Sequence, residues 1–130
     1  LAVTAAPKFI DLTSDAKAST VQAVQGALNS AADMAHAKAL VAGNLNDDMS
    51  IAGETIGFKN SYPTREGIAL LMDIDTSSSN AAFVLDNTTS AGVATYTHAD
   101  AAVAAKCVAS YTETGNKNTK PLITSNTDDC

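Results

Sequence analysis

The chain has 130 residues, which is enough for one domain with a hydrophobic core of its own. Hydrophobic residues make up 45% of the sequence, which excludes a chain that is disordered throughout, although aromatic residues contribute only 5%. The formal net charge is −6 and no basic stripe is present, so a nucleic-acid partner is not expected.

The first predicted element is a long amphipathic helix from Phe9 to about Val41, followed by the stop signals Gly43 and Asn44. Polar residues recur at steps of three and four on one side, and small or apolar residues recur on the opposite side. We expect the apolar side to pack on the rest of the protein. The polar side holds Asp11, Asp15, Ala18, Gln22, Gln25, Asn29, Asp33 and His36. The apolar side holds Phe9, Leu12, Ala16, Thr20, Ala23, Val24, Ala27, Ala31 and Met34.

Residues 1–10 are mostly small or apolar, as at the end of a longer apolar helix. Pro7 either occupies the first turn of the amphipathic helix, where its missing N–H is not needed, or kinks a helix that continues upstream. The apolar residues before Pro7 favour continuation. We therefore expect the chain to begin inside a longer helix.

A connection rich in glycine and polar residues follows over 42–66, with a short strand expected near Ile51 to Phe58. Four strand-like runs come next, and polar turn segments separate the first three. These runs are Gly67–Ile74, Ala81–Leu85, Val93–His98 and Val103–Tyr111. The tail from Thr112 to Cys130 has the composition of a surface loop.

These elements predict one α+β domain over 1–130. Its N-terminal helix, 1–41, packs on a four-stranded antiparallel sheet formed within 67–111. The sheet has to cover the apolar side of the helix, because the sequence predicts no second helix that does so.

The two cysteines, Cys107 and Cys130, lack the Cys-x-x-Cys spacing of zinc or thioredoxin-like sites. A pair with one member at residue 130 favours a disulfide that holds the tail, and with it an oxidising compartment. The alternative is two unrelated thiols in a reducing compartment. In the chain-entropy model, closing a loop of roughly 24 residues contributes about 3 kcal/mol.

The segment "LLMDIDTSSS" contains the one motif that suggests an enzyme. An apolar run that ends in Asp73-x-Asp75 is similar to the motif of haloacid-dehalogenase-like phosphatases, in which one Asp attacks phosphorus. That motif continues with Gly and Thr, whereas Thr76 and Ser77 stand here, and the chain has no room for the βαβ units. We expect Asp73 and Asp75 to lie in a polar turn, and we expect no enzymatic activity and no cofactor.

Other residues with possible chemistry are predicted to be structural or exposed. The acidic pairs Asp47–Asp48, Asp73–Asp75 and Asp128–Asp129 offer oxygen ligands for calcium, but none has the spacing of an EF-hand loop. The two histidines, His36 and His98, show no sign of converging. Asn87 matches a glycosylation acceptor in "NTT", which is a frequent chance match. The tyrosines, Tyr62, Tyr96 and Tyr111, are expected at the edge of the core or on the surface.

The opening stretch "LAVTAAPKFIDLTSDAKASTVQAVQGALNSAADMAHAKALVAG" resembles the rear part of the N-terminal helix of type IV pilins and pseudopilins. The resemblance is closest to the mannose-sensitive haemagglutinin pilins of Gram-negative marine and aquatic bacteria. "SYPTREGIALLMDID" is similar to their segment leading into the first strand, and Cys107 and Cys130 match the pilin disulfide. The sequence departs from the family in one respect, because the cleavage site, the N-methylated Phe and the Glu near it are missing.

The resemblance implies a structural subunit of an extracellular pilus that mediates surface attachment, adhesion and biofilm formation. In that family, apolar N-terminal helices leave the inner membrane and pack as the filament core, so the partners are other copies of the chain, and surface glycans are possible ligands. The residues that would contribute to this core are Leu1, Val3, Ala6, Pro7, Phe9 and Ile10.

Two alternative functions remain open. "YPTREGIALL" also resembles a segment of the major pseudopilin of type II secretion, although those proteins typically lack the terminal disulfide and hold calcium in a C-terminal loop. The second alternative is a binding module whose globular head holds a ligand such as a glycan.

Overall fold

The computed structural model describes residues 12–130 and shows an α+β architecture. Helix α1, Leu12–Ala42, confirms the predicted long helix over the described residues. Two small hairpins, a short helix and a four-stranded antiparallel sheet follow it. In chain order the later elements are β1 Met49–Ile51, β2 Glu54–Ile56, β3 Phe58–Lys59, β4 Tyr62–Pro63, α2 Arg65–Leu71, β5 Phe83–Asp86, β6 Val93–His98, a 3-10 turn Ala104–Lys106, β7 Val108–Thr112 and β8 Leu122–Asn126.

The sheet is a meander with the strand order β5-β6-β7-β8, in which every neighbouring pair is antiparallel. Tyr96 on the central strand β6 lies opposite Leu85 of β5 and Ala109 of β7. Because side chains alternate along a strand, alternate residues of β6 and β7 point towards α1 and are buried against it. A second cluster, formed by the end of α1 and the first two hairpins, contains Ala35, Ala39, Ile51, Ile56 and Phe58.

The side of α1 that is buried overlaps the predicted one only at its edge, where Val24 is buried and Ala31 is half-buried. The buried residues are Val21, Val24, Leu28, Ala32, Ala35 and Ala39. On the side that was predicted to be buried, the exposed residues are Ala16, Thr20, Ala23, Ala27 and Met34. The two sides are separated by roughly 100° around the helix axis. Both sides are rich in alanine, so they differ little in hydrophobicity. The sheet covers the side that carries Val21, Val24 and Leu28 because this buries more apolar area.

The predicted strand Gly67–Ile74 is wrong, because most of this segment forms helix α2. Thr64 caps that helix, and its Oγ1 accepts a hydrogen bond from the Gly67 N–H at 3.0 Å. A short apolar run fits a helix or a strand equally well, and here the cap decides between them. Gly67 permits close packing of α2, since a Cβ at this position would lie 2.7 Å from the carbonyl oxygen of Gly57.

The prediction of a loop after Thr112 is wrong as well, because Leu122–Asn126 forms the edge strand β8. Gln25 of α1 covers this edge: its Nε2 donates to the Ile123 carbonyl oxygen at 3.4 Å, and its Oε1 accepts from Ser125 Oγ at 2.7 Å. The helix thereby satisfies polar groups at a sheet edge.

Two further segments differ in detail from the prediction. The expected strand from Val103 to Tyr111 is divided into a 3-10 turn and β7. The single short strand expected near Ile51–Phe58 is instead part of two hairpins, and the first of these turns at Ala52 and Gly53, which both have positive φ.

Candidate functional site

The predicted disulfide is present at the C-terminal end of the described chain. The bond between Cys107 and Cys130 joins Cα atoms that are 4.8 Å apart, and both cysteines are buried. Backbone hydrogen bonds support it, from the Asp129 N–H to the Lys106 carbonyl oxygen and from the Ala102 N–H to the Cys130 carbonyl oxygen. The disulfide therefore holds the end of the chain against the turn that precedes β7.

Lys17 connects this disulfide region to α1. Its Nζ donates to the Asp100 carbonyl oxygen at 2.7 Å and to the Cys130 carbonyl oxygen at 3.5 Å. The first turns of α1, the 3-10 turn and the C-terminal segment consequently form one connected region.

The exposed side of α1, roughly 100° around the helix axis from the side that the sheet covers, is a candidate surface for assembly. Between Ala16 and Met34 this side carries small or uncharged residues, although it is exposed. An apolar groove of about 330 Å³ lies beside it and is lined by Thr20, Ala23, Val24, Ala27, Ile74 and Phe83. Leu70 of α2 is exposed next to Met34 and extends the apolar surface towards the far end of the helix.

The residues expected to contribute to a filament core all lie outside the described part of the chain. They are Leu1, Val3, Ala6, Pro7, Phe9 and Ile10. Their role as assembly contacts stays a prediction.

Within residues 12–130 no group of three or more His, Cys, Asp or Glu side chains is arranged to hold a metal ion. Asp75 instead organises its own turn, accepting hydrogen bonds from the Ser77 and Ser78 N–H groups at 3.1 Å each and from the Ser78 hydroxyl. The hydrogen bonds from Ser78 and Ser77 lower the pKa of the Asp75 carboxyl. Asp73 is exposed and takes no part in this turn.

The two histidines have separate environments. His36 is half-buried, its ring stacks on Tyr62 at a centroid distance of 3.8 Å, and its Nδ1 donates to the Ser61 carbonyl oxygen at 2.8 Å. His98 Nδ1 accepts from the Asp100 N–H at 3.1 Å. Each ring therefore supports local structure, and His36 is less exposed than the sequence suggested.

Tyr96 and Tyr111 are core residues, contrary to the expectation that they would lie at its edge or on the surface. The Tyr111 hydroxyl donates to the Pro63 carbonyl oxygen at 2.5 Å, whereas the Tyr96 hydroxyl has no hydrogen-bond partner among the described residues. Burial raises the pKa of Tyr96 to about 12. Burial, and then the negative charge of Glu113, also raise the pKa of Tyr111.

We expect these tyrosines to make the fold sensitive to alkali. An unfolded tyrosine has a pKa of 10.0, whereas burial raises the pKa of folded Tyr96 to about 12. The protonated Tyr96 therefore contributes its full stability below pH 10.0, and this stability is lost as the pH rises to 12. Two pKa units correspond to about 3 kcal/mol. Urea unfolding as a function of pH measures this loss.

Two phenylalanine variants separate the contributions of these tyrosines. Tyr96→Phe should reduce the alkaline loss and leave the neutral-pH stability unchanged or slightly higher, because it removes a hydroxyl without a partner. Tyr111→Phe should lower the neutral-pH stability by about 1 to 2 kcal/mol, since the Pro63 carbonyl loses its donor. If wild type and Tyr96→Phe lose the same amount of stability at alkaline pH, Tyr96 is not the source of that loss.

A polar cleft between α1 and the β7–β8 connection was not predicted from the sequence. It has a volume of about 510 Å³ and is lined by Asn29, Thr112, Glu113, Thr114, Thr119, Lys120, Pro121, Leu122 and Ile123. No spacing rule predicts it, because it forms where β8 returns beside the helix. Asn87, the possible glycosylation acceptor, is half-buried directly after β5 and away from this lining.

No helix within residues 12–130 has both the length and the hydropathy needed to cross a bilayer. Comparison of the chain with family models, with curated proteins and with solved structures found no match.

Proposed function

We propose that this chain is a structural subunit of a type IV pilus that mediates surface attachment, adhesion and biofilm formation. Copies of the chain would form a helical filament on the outside of the cell, with the sheet facing outwards and residues 1–10 in the filament core. Before assembly, the subunit would be held at the inner membrane. The exposed, uncharged side of α1 is the observation on which this proposal depends most.

A helix at the surface of a monomer usually presents charged residues to water. Between Ala16 and Met34 the exposed side of α1 instead presents small residues such as Ala23 and Ala27, and a charged residue, Lys38, follows on that side only one turn after Met34. Small side chains allow a second helix to approach closely, and the adjacent apolar groove enlarges the surface that such a helix would cover. This pattern supports packing between copies of the chain.

The disulfide supports the proposed location. Disulfides form and persist in oxidising compartments such as the periplasm and the cell surface. The sequence resemblance to type IV pilins supports the same assignment, and the α+β arrangement of one long helix and a four-stranded sheet is compatible with it.

Introducing charge on the exposed side of α1 tests the proposal. Ala23→Glu and Ala27→Glu, combined in the native host, should abolish surface filaments, because paired helices would have to bury unpaired carboxylates. The isolated protein should keep its fold, since both positions are exposed and glutamate is a good helix former. Electron microscopy of cells, together with circular dichroism of the purified chain, measures the two effects.

Gln22→Glu is the matched control. It adds a carboxylate in the same turns of α1, on an exposed position of a different side of the helix. Filaments should persist in this variant. Normal filaments in the Ala23→Glu/Ala27→Glu variant would refute the proposed surface.

A further inference from the structure

We propose that the outer edge of strand β5 binds an extended peptide as a fifth strand of the sheet, and that this peptide carries basic residues at its ends. β5 lies at one edge of the four-stranded sheet and pairs with β6 on its other side. Adding a strand to an open sheet edge is a general mode of peptide recognition, in which main-chain hydrogen bonds supply the affinity. The inference concerns the single chain and does not depend on filament assembly.

The register of the sheet shows which backbone groups of β5 point outwards. The Ala99 N–H donates to the Ala82 carbonyl oxygen at 2.8 Å, which makes these two residues a hydrogen-bonded pair at the end of the β5–β6 ladder. Such pairs alternate along an antiparallel ladder, so Val84 also bonds to β6, whereas Phe83 and Leu85 direct their N–H and C=O groups away from it. Within residues 12–130 these four groups have no other hydrogen-bond partner. An added strand would therefore meet two donors and two acceptors.

The opposite edge of the sheet is protected in a way that β5 is not. At β8 the side chain of Gln25 donates to the Ile123 carbonyl oxygen at 3.4 Å. On β5 the central residue, Val84, is uncharged and 55% exposed. Because an edge strand without a cover or a charge is a template for pairing with another chain, the β5 edge is the more accessible of the two.

An apolar groove beside β5 offers a place for the inward side chains of the added strand. The groove of about 330 Å³ lies between Phe83 of β5 and α1, and Ile74 also lines it. Because side chains alternate along a strand, every second residue of the peptide would point towards this groove, and these residues should be apolar. The peptide would cover part of the surface that we assign to contacts between copies, so the two kinds of binding compete.

The charge around β5 favours a basic partner over a second copy of the chain. Segment 72–87 carries Asp73, Asp75 and Asp86 and contains no Lys or Arg. Asp86 lies in β5 itself, and the other two carboxylates flank the groove residue Ile74. A second copy that paired through β5 would bring the same three negative charges to the contact, whereas a peptide with basic ends would be attracted.

An NMR titration of the ¹⁵N-labelled chain tests the inference. The probe is the blocked peptide Ac-Lys-Val-Thr-Val-Thr-Val-Lys-NH₂, and its counterpart has Glu in place of both Lys residues. The lysine peptide should cause saturable shift changes in the amides of Phe83 and Leu85, with a dissociation constant of about 1 mM, and should slow their hydrogen exchange. The glutamate peptide should bind about tenfold more weakly.

Two lysine variants form a matched pair. Val84 and Leu122 are exposed aliphatic residues, one on each edge strand. Val84→Lys should weaken binding of the lysine peptide about tenfold. Leu122→Lys should bind as wild type does, because three strand spacings, roughly 14 Å, exceed the Debye length of about 8 Å.

Asp86→Asn tests the role of charge separately. The asparagine oxygen can still accept from the Thr88 N–H, as the Asp86 carboxylate does, so the turn after β5 should persist. The variant should weaken binding of the lysine peptide about threefold and leave binding of a peptide with serine at both ends unchanged.

Four outcomes would overturn the inference. They are unshifted β5 amides at about 10 mM lysine peptide, shifts that map to β8, equal binding of the lysine and glutamate peptides, and dimerisation of the free chain through β5. These outcomes leave filament formation in the native host untouched, so they are distinct from a failure of the proposed function.

Discussion

Replacing both Cys107 and Cys130 by alanine is expected to lower the free energy of unfolding by about 3 kcal/mol. The bond closes a loop with a sequence separation of 23 residues, and in the chain-entropy model its loss releases the unfolded chain from that constraint. For a domain of this size the midpoint of thermal unfolding should fall by about 10 °C. Differential scanning calorimetry measures both quantities.

The loss of stability should be greatest in the part of the fold that the disulfide connects. The closed loop contains β7 and β8, and β8 is an edge strand. Amide hydrogen exchange in Leu122–Asn126 should therefore accelerate more than exchange in β6, which pairs with strands on both sides. The hydrogen bonds of Gln25 to β8 do not depend on the cysteines and should limit this opening.

Wild-type protein treated with a reductant is the control for the change of side chain. If the bond is the source of the stability, the reduced wild type and the double alanine variant should unfold at nearly the same temperature. Each single variant should match the double variant, since either one breaks the bond. A double variant within about 0.5 kcal/mol of the oxidised wild type would show that packing alone holds the tail.

The sequence predicted the features of this fold that depend on local signals. The helix was recognisable because its polar residues recur at a helical period as far as the stop at Gly43, and its described part, Leu12–Ala42, agrees. The pairing of Cys107 with Cys130 was recognisable because the sequence holds two cysteines, which lack the spacing of a zinc or redox motif. Strand β6, Val93–His98, was predicted with its observed bounds.

Features that depend on tertiary packing were missed. The run after Gly67 is apolar enough for a strand, and only the cap from Thr64 and the close approach to Gly57 favour a helix. Strand β8 has a polar end and gains its order from β7 and from Gln25, which is distant in sequence. The polar cleft forms from the same packing and from no motif, so no pattern in the sequence identifies it.

The buried side of α1 was predicted correctly only at its edge, where Val24 lies, and the displacement of the rest bears directly on function. An alanine-rich helix offers two similar sides, and only contacts with the sheet decide which of them becomes core. The side that was expected to pack on the sheet is the exposed one that we assign to contacts between subunits. The apolar pattern on this side of α1 thus fits a packing surface. We propose that another copy of the chain packs on it, rather than the chain's own sheet.

Leu28→Ala and Met34→Ala form the test of this assignment, and the first should have the largest effect of any single change in α1. Leu28 is 0% exposed and packs among the core residues of the sheet, so its truncation should cost about 3 kcal/mol. Met34 is 46% exposed on the other side, and its truncation should cost less than about 1 kcal/mol. Leucine, methionine and alanine are all good helix formers, so differences in helix propensity are small.

Urea unfolding of the purified chain with a constant denaturant slope gives both values. Equal losses, or a larger loss for Met34→Ala, would mean that the sheet covers the side first predicted from the sequence. In the native host we expect Met34→Ala, which has the smaller effect on stability, to have the clearer effect on assembly. It should reduce the number of filaments although the subunit remains folded. A variant of Leu28 acts on the subunit before assembly, whereas a variant of Met34 acts on the contact between subunits. The two readouts therefore separate an error about the fold from an error about the function.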